Sequence, residues 1–194
     1  MIMQKKNLQI SKIISSHFDL KDMMMSHSSL INKLGDVVSK IVNNGGCVFW
    51  CGNGGSAADA QHLAAELVGR FERERRAIKS IALNTDTSVM TALSNDYSYD
   101  VIFKRQLEAL ASKKDILIVF STSGNSKNII SALNYCKKKS IKSISILGNK
   151  GGKAKKLSYL NLSLPIKETA RIQEMHILIG HIICSIVEKN LKKR

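Results

Sequence analysis

Proline occurs once in these 194 residues, and aromatic side chains make up 5% of them. A single proline excludes proline-rich linkers and argues for uninterrupted helices. So few aromatics, with no zinc-finger spacing of cysteine and histidine, leave no aromatic-studded basic strand of the kind that stacks on nucleic-acid bases. Acidic residues are also scarce, fifteen against thirty basic ones, for a formal charge of +15. The excess is scattered in short clusters, Lys137–Lys139, Lys153–Lys156 and the Lys192-Lys193-Arg194 tail, as on a solvated lysine-rich surface. Such a field would also steer a small phosphorylated anion toward a pocket.

Long apolar runs are missing too. The longest, Ile177–Val187, contains His181 and Ser185 and is too short to span a bilayer. Lys5 and Lys6 are followed by apolar residues broken by polar ones, unlike a secretory signal. A cytoplasmic protein is expected. The four cysteines form no metal or redox motif. Cys47 and Cys51 fall on one expected strand, four steps of roughly 3.3 Å apart and beyond disulfide reach, so buried thiols are expected.

What remains is a regular alternation. Residues 1–43 read as helical, with Leu30, Leu34, Val37, Val38, Ile41 and Val42 on one stripe. Strands are expected at 47–51, 80–83, 115–120, 143–147 and 160–164. Helices are expected at 56–70, 87–93, 101–111, 126–139 and 168–191. This order predicts one α/β domain over residues 1–194, a parallel sheet between two helical layers with added N-terminal helices. Ligands in such folds bind beyond the carboxyl ends of the strands.

Two loops fall there. Ser121-Thr122-Ser123-Gly124-Asn125-Ser126 sets four hydroxyls between a buried strand and a helix start. That composition suits a phosphate cradle, or equally a serine-capped helix after a glycine turn. Asn53-Gly54-Gly55 follows the first strand but has neither Walker nor Rossmann spacing. Beyond it, His62 and Glu66 lie one helical turn apart, a spacing used by metal sites, by acid–base pairs and by ordinary surface residues. In the last helix, His176 and His181 sit among apolar residues, where hydrogen-bonded core histidines are common. Gln173 and His181 are separated by about 12 Å of helix axis. To meet at one atom, the helix start must bend or a neighbouring subunit must supply one of them.

At these residues the chain resembles the sugar isomerase (SIS) domain family, and within it the phosphoheptose isomerases. The matching blocks are Cys51–Phe71 (CGNGGSAADAQHLAAELVGRF), Asn95-Asp96, Ser121–Ser126 (STSGNS) and Arg171–His181 (RIQEMHILIGH). The resemblance implies a three-layer sandwich with a flavodoxin-like sheet and a homotetramer with shared active sites. The first helices would then pack at the subunit interface. It implies substrate contacts at Asn53, Gly54, Gly55, Glu66, Asn95, Asp96, Ser121, Thr122, Ser123, Ser126 and Gln173. It implies one zinc per subunit at His62, Glu66, Gln173 and His181. The implied reaction converts D-sedoheptulose 7-phosphate to D-glycero-D-manno-heptose 7-phosphate, the first step of heptose synthesis for lipopolysaccharide or related glycans. Glu66 is the candidate base and His181 the candidate acid. A metal at the same residues would compete with the base role, since a ligated carboxylate is a poorer base. The alternative is a non-catalytic relative, such as the adaptor that binds a DNA-replication initiator protein. The complete set of Glu66, His62, Gln173, His181 and Ser123 favours the enzyme. The lysine-rich 150–156 segment lies outside these blocks and is assigned surface roles.

Overall fold

Short runs alternating or continuous in apolar residues become the strands of one sheet: β1 (Val48–Cys51), β2 (Ser80–Ala82), β3 (Ile116–Ser121), β4 (Lys142–Leu147) and β5 (Leu160–Ser163). The computed structural model describes residues 2–192, with side chains from Leu8 onward, so of the basic tail only Lys192 is included. All strand pairs are parallel, in the order β2-β1-β3-β4-β5. That is the flavodoxin-like order, whose chain direction switches between β1 and β3 and opens a crevice there. Central β3 is buried along its whole length, as expected of a strand covered on both faces.

Alternate side chains feed two cores. Trp50, Ile118 and Phe120 point to one face, where the Trp50 and Phe120 rings stack with centroids 6.1 Å apart. Phe49, Leu117 and Val119 point to the other. The first face is covered by α3 (Ser28–Asn43), α4 (Gly55–Val68) and α8 (Thr169–Lys189). The second is covered by α6 (Ile102–Leu110) and α7 (Lys127–Lys139), flanked by α5 (Thr87–Asp96). The three-layer sandwich is as the sequence predicts.

The N-terminal helical stretch is broken into α1 (Ile2–Phe18), α2 (Lys21–Ser26) and α3. Turns at Asp19-Leu20 and His27 re-aim the chain so that Met24 is buried beneath α2. By length and hydropathy α8 could cross a membrane. Instead it packs on α3 and α4 and buries Ile172, Met175, Ile179 and Ile183 in the core. All four cysteines are free and buried. Burial pushes the Cys136 and Cys184 thiols up to about 12. His176 is a core residue as expected, but neither ring nitrogen has a hydrogen-bond partner of normal geometry.

Candidate active site

The turn that starts α4 is built around glycine. Gly54 has φ 57° and ψ −121°, a region that side-chain-bearing residues avoid. A Cβ at Gly55 would strike the Gln173 amide, so that side chain lies against the first residue of α4. Asn53 forms a reciprocal amide pair with buried Asn128 of α7, at 3.0 and 2.8 Å. The Tyr99 hydroxyl donates to the Asn53 Oδ1 at 3.1 Å. The β1 and β3 loops are thus joined across the crevice.

In the second loop, Ser121 ends β3 and its Oγ accepts the Gly124 N–H at 3.0 Å. The Ser123 Oγ accepts the Asn125 N–H at 3.1 Å. Ser126 occupies the N-cap of α7 without spending its hydroxyl on the helix, and Thr122 is half-buried beside it. The α7 N-terminus adds the positive end of its dipole.

This loop is braced from behind. Asn149, Lys150, Gly151 and Gly152 all have positive φ. They bring the Ala154 N–H to the Gly124 carbonyl at 2.9 Å and the Lys153 N–H to the Asn125 Oδ1 at 3.1 Å. A Cβ at Gly152 would lie 2.6 Å from the Ser123 carbonyl and 2.7 Å from that of Gly124. The 150–156 segment therefore has more than a surface role: its backbone is packed directly on the serine loop, and Gly151 and Ala154 are buried.

Farther along α4, His62, Glu66 and His181 converge. The His62 Nε2 is 3.1 Å from the Glu66 Oε1 and 3.0 Å from the His181 Nε2. Two imidazole nitrogens and a carboxylate oxygen here lie within 4.8 Å of one another. Burial lowers the His181 pKa, neighbouring His62 lowers it further, and Glu66 offsets only part of this. Phe71 stacks on His181, ring centroids 5.2 Å apart and planes 17° from parallel. Asp59, one turn before His62, has a buried, unpartnered Oδ2. Its pKa is raised to about 6 by burial, against an opposing pull from His62.

Helices α4 and α8 run side by side in the same direction. Gln173 meets Gly55, Gly180 meets Leu63, and His181 meets His62. Gln173 thus stands at the loop end of the pair and His181 about two turns on, along an unbroken helix. Asn95 and Asp96 end α5 on an exposed surface, where the Asn95 Nδ2 donates to the Asp96 Oδ1 at 2.9 Å. Their side chains pair with each other rather than with either loop. Sequence reasoning gave no role to Asn128, Tyr99 or Phe71. Phe71 stood inside a matched block, but the other two join the site only through pairings 75 and 46 residues apart.

The SIS domain family model matches residues 17–148. A phosphoheptose isomerase of Sulfurimonas denitrificans is 49% identical over 191 residues, covering 94% of this chain and 95% of that one. Another from Aliarcobacter butzleri is 52% identical over 161 residues, 83% of this chain and 85% of its own. The solved structure of phosphoheptose isomerase GmhA from Neisseria gonorrhoeae superposes with a TM-score of 0.89 at 34% identity, covering 94% of this chain and 98% of that one.

Proposed function

The chain belongs to the SIS domain family and, within it, to the phosphoheptose isomerases, and on that footing we propose that it converts D-sedoheptulose 7-phosphate to D-glycero-D-manno-heptose 7-phosphate. The observation that carries the reading is the meeting of His62, Glu66 and His181 from two helices, at 3.0 and 3.1 Å, on the α4 that begins at the glycine loop. Ser121, Thr122, Ser123 and Ser126, with the α7 N-terminus, take the phosphate. Asn53, Gly54, Gly55 and Gln173 line the path from there toward the triad, and Asn95 and Asp96, exposed at the end of α5, join as substrate contacts on the family resemblance alone.

Ketose–aldose isomerisation moves a proton between adjacent carbons through an enediol. It needs a base at carbon, an acid at oxygen and stabilisation of the developing oxyanion. Glu66 removes the proton from C1 and returns it at C2. His181, whose pKa is lowered by burial and by His62, donates to the carbonyl oxygen and recovers the proton from the neighbouring hydroxyl. His62 contacts both residues, so it can carry the proton relation between them and fix both geometries. The donor set of two imidazoles and a carboxylate fits zinc: His62, Glu66 and His181 would hold the ion, while Gln173, about two turns away on the unbroken α8, would reach it only from a neighbouring subunit, and the ion would supply Lewis-acid polarisation of the substrate oxygens.

A cytoplasmic homotetramer supplying heptose for lipopolysaccharide or related glycans is the setting that fits this chemistry. The adaptor reading is disfavoured by the intact triad, since binding a protein partner requires no convergence of base and acid. The test is an isomerase assay on sedoheptulose 7-phosphate, with and without chelator. Glu66→Gln and His181→Ala should each lower kcat by roughly 100-fold or more while sugar-phosphate binding stays measurable by calorimetry. Near-wild-type turnover in either variant would remove that residue from its role.

A further inference from the structure

Between α4 and β2 the chain makes an excursion whose polar groups converge on one residue from the far end of the sequence. Glu188, on the last turns of α8, accepts the backbone N–H groups of Phe71, Glu72 and Arg73 at 2.9, 2.9 and 3.0 Å. It also accepts the Arg75 Nε at 2.9 Å, and the two side chains are only 1% and 7% exposed. Burial pushes the Glu188 carboxyl up, but the three N–H groups and Arg75 together outweigh it and leave its pKa below the usual carboxylate value. Arg75 in turn donates to the carbonyls of Glu66 (2.6 Å), Leu67 (2.9 Å) and Gly69 (2.6 Å), closing the open end of α4.

Buried ion pairs are a poor source of stability, because desolvation consumes most of the attraction and an apolar pair would serve as well. What this pair accomplishes is geometric. It fixes the main chain of Phe71, whose ring lies on the His181 imidazole. It holds the Glu66 carbonyl, and so the turn of α4 whose side chains face His62. It also bridges the two helices that carry the triad, two turns beyond His181 on α8.

We propose that Arg75 and Glu188 are positioning residues for the active site, and that the Phe71 ring they hold sets the plane of His181 so that its Nε2 faces His62 and Glu66. This rests on the reading that the triad does the chemistry. An aromatic face is needed for such a wall, because a flat ring restrains the tilt of a second ring in a way a branched aliphatic side chain does not. The requirement separates positioning from mere filling of space.

The experiment compares Phe71→Tyr with Phe71→Leu, and adds Glu188→Gln, in the full-length chain. Tyrosine should keep kcat within about 2-fold of wild type. Leucine should lower kcat by about 10-fold or more, with KM and melting temperature little changed, since small misplacements of reacting groups are costly. Glu188→Gln should follow the leucine variant. If Glu188→Gln fails to fold, the Phe71 pair still decides the matter. Leucine as active as tyrosine, or a loss confined to KM, would overturn the proposal. Wild-type inactivity on the sugar phosphate would strike the isomerase reading instead. Crystal structures of the two Phe71 variants then decide positioning without turnover. His181 should keep its approach to His62 in the tyrosine variant and lose it in the leucine one, and an unmoved imidazole in the latter would overturn the idea.

Discussion

His176 is fully buried on α8, with its ring 5.5 Å from that of Phe120 and no normal hydrogen bond at either nitrogen. Burial lowers its pKa from 6.5 to about 4, against an opposing contribution from the Leu147 backbone. Between those values the unfolded chain binds more protons than the folded one, so the residue's contribution to stability is full above pH 6.5 and falls as the pH drops toward 4. The swing is about 3 kcal/mol. Asp59 acts in the opposite sense: its raised pKa favours the folded state as acid is added, so the wild-type profile alone mixes the two. The clean measurement is the difference between His176→Leu and wild type in denaturant melts. At pH 7 the variant should be close to wild type, because a buried, unpaired polar group has been replaced by an apolar one of similar size. It should gain by up to about 3 kcal/mol relative to wild type by pH 4, and a pH-independent difference would refute the assignment.

Among elements, the brace behind the serine loop shows what sequence reading reaches and what it misses. The strands were legible because continuous runs such as Ile116–Phe120 are buried on both faces. Both ligand loops were legible because glycine and serine cluster at strand ends. The brace was not, because its work is done by main-chain atoms of residues 148–154 whose side chains read as surface lysines. The Arg75–Glu188 clasp was illegible for a related reason, since 113 residues separate its partners and no local spacing announces it. The break of the N-terminal stretch into three helices was hidden as well, because Asp19-Leu20 and His27 carry no glycine or proline signal. Gly152 allows a sharp test. Alanine there would face φ 52° and two carbonyls within 2.7 Å, so the serine loop must move. Gly152→Ala should raise KM for the sugar phosphate by about 10-fold, from strain of 1–3 kcal/mol, with kcat changed less. An unchanged KM would mean that the loop does not hold the phosphate.

The whole molecule leaves apolar surface uncovered. Leu8, Ile10, Ile13, Ile14 and Phe18 of α1 are each at least half exposed. An apolar groove of about 440 Å³, lined by Phe18, Met24, Ile31, Leu178 and Ile182 among others, runs between the N-terminal helices and α8. Surfaces of this kind call for a partner, and the proposed homotetramer would cover them with copies of the same chain. Light scattering on the purified protein should give four times the 21.5 kDa of one chain. A monodisperse monomer would count against shared active sites.

The four thiols have a practical bearing that their chemistry alone would not suggest. Cys51, Cys136 and Cys184 are sealed inside the core and held in the unreactive protonated form, so an alkylating dye meets none of these three while the fold is closed. Labelling at any of these three then marks a moment when a particular layer has parted, Cys51 and Cys136 reporting on the α6–α7 side and Cys184 on the α3–α8 side. The chain carries its own clock for local opening, with no probe to be engineered in.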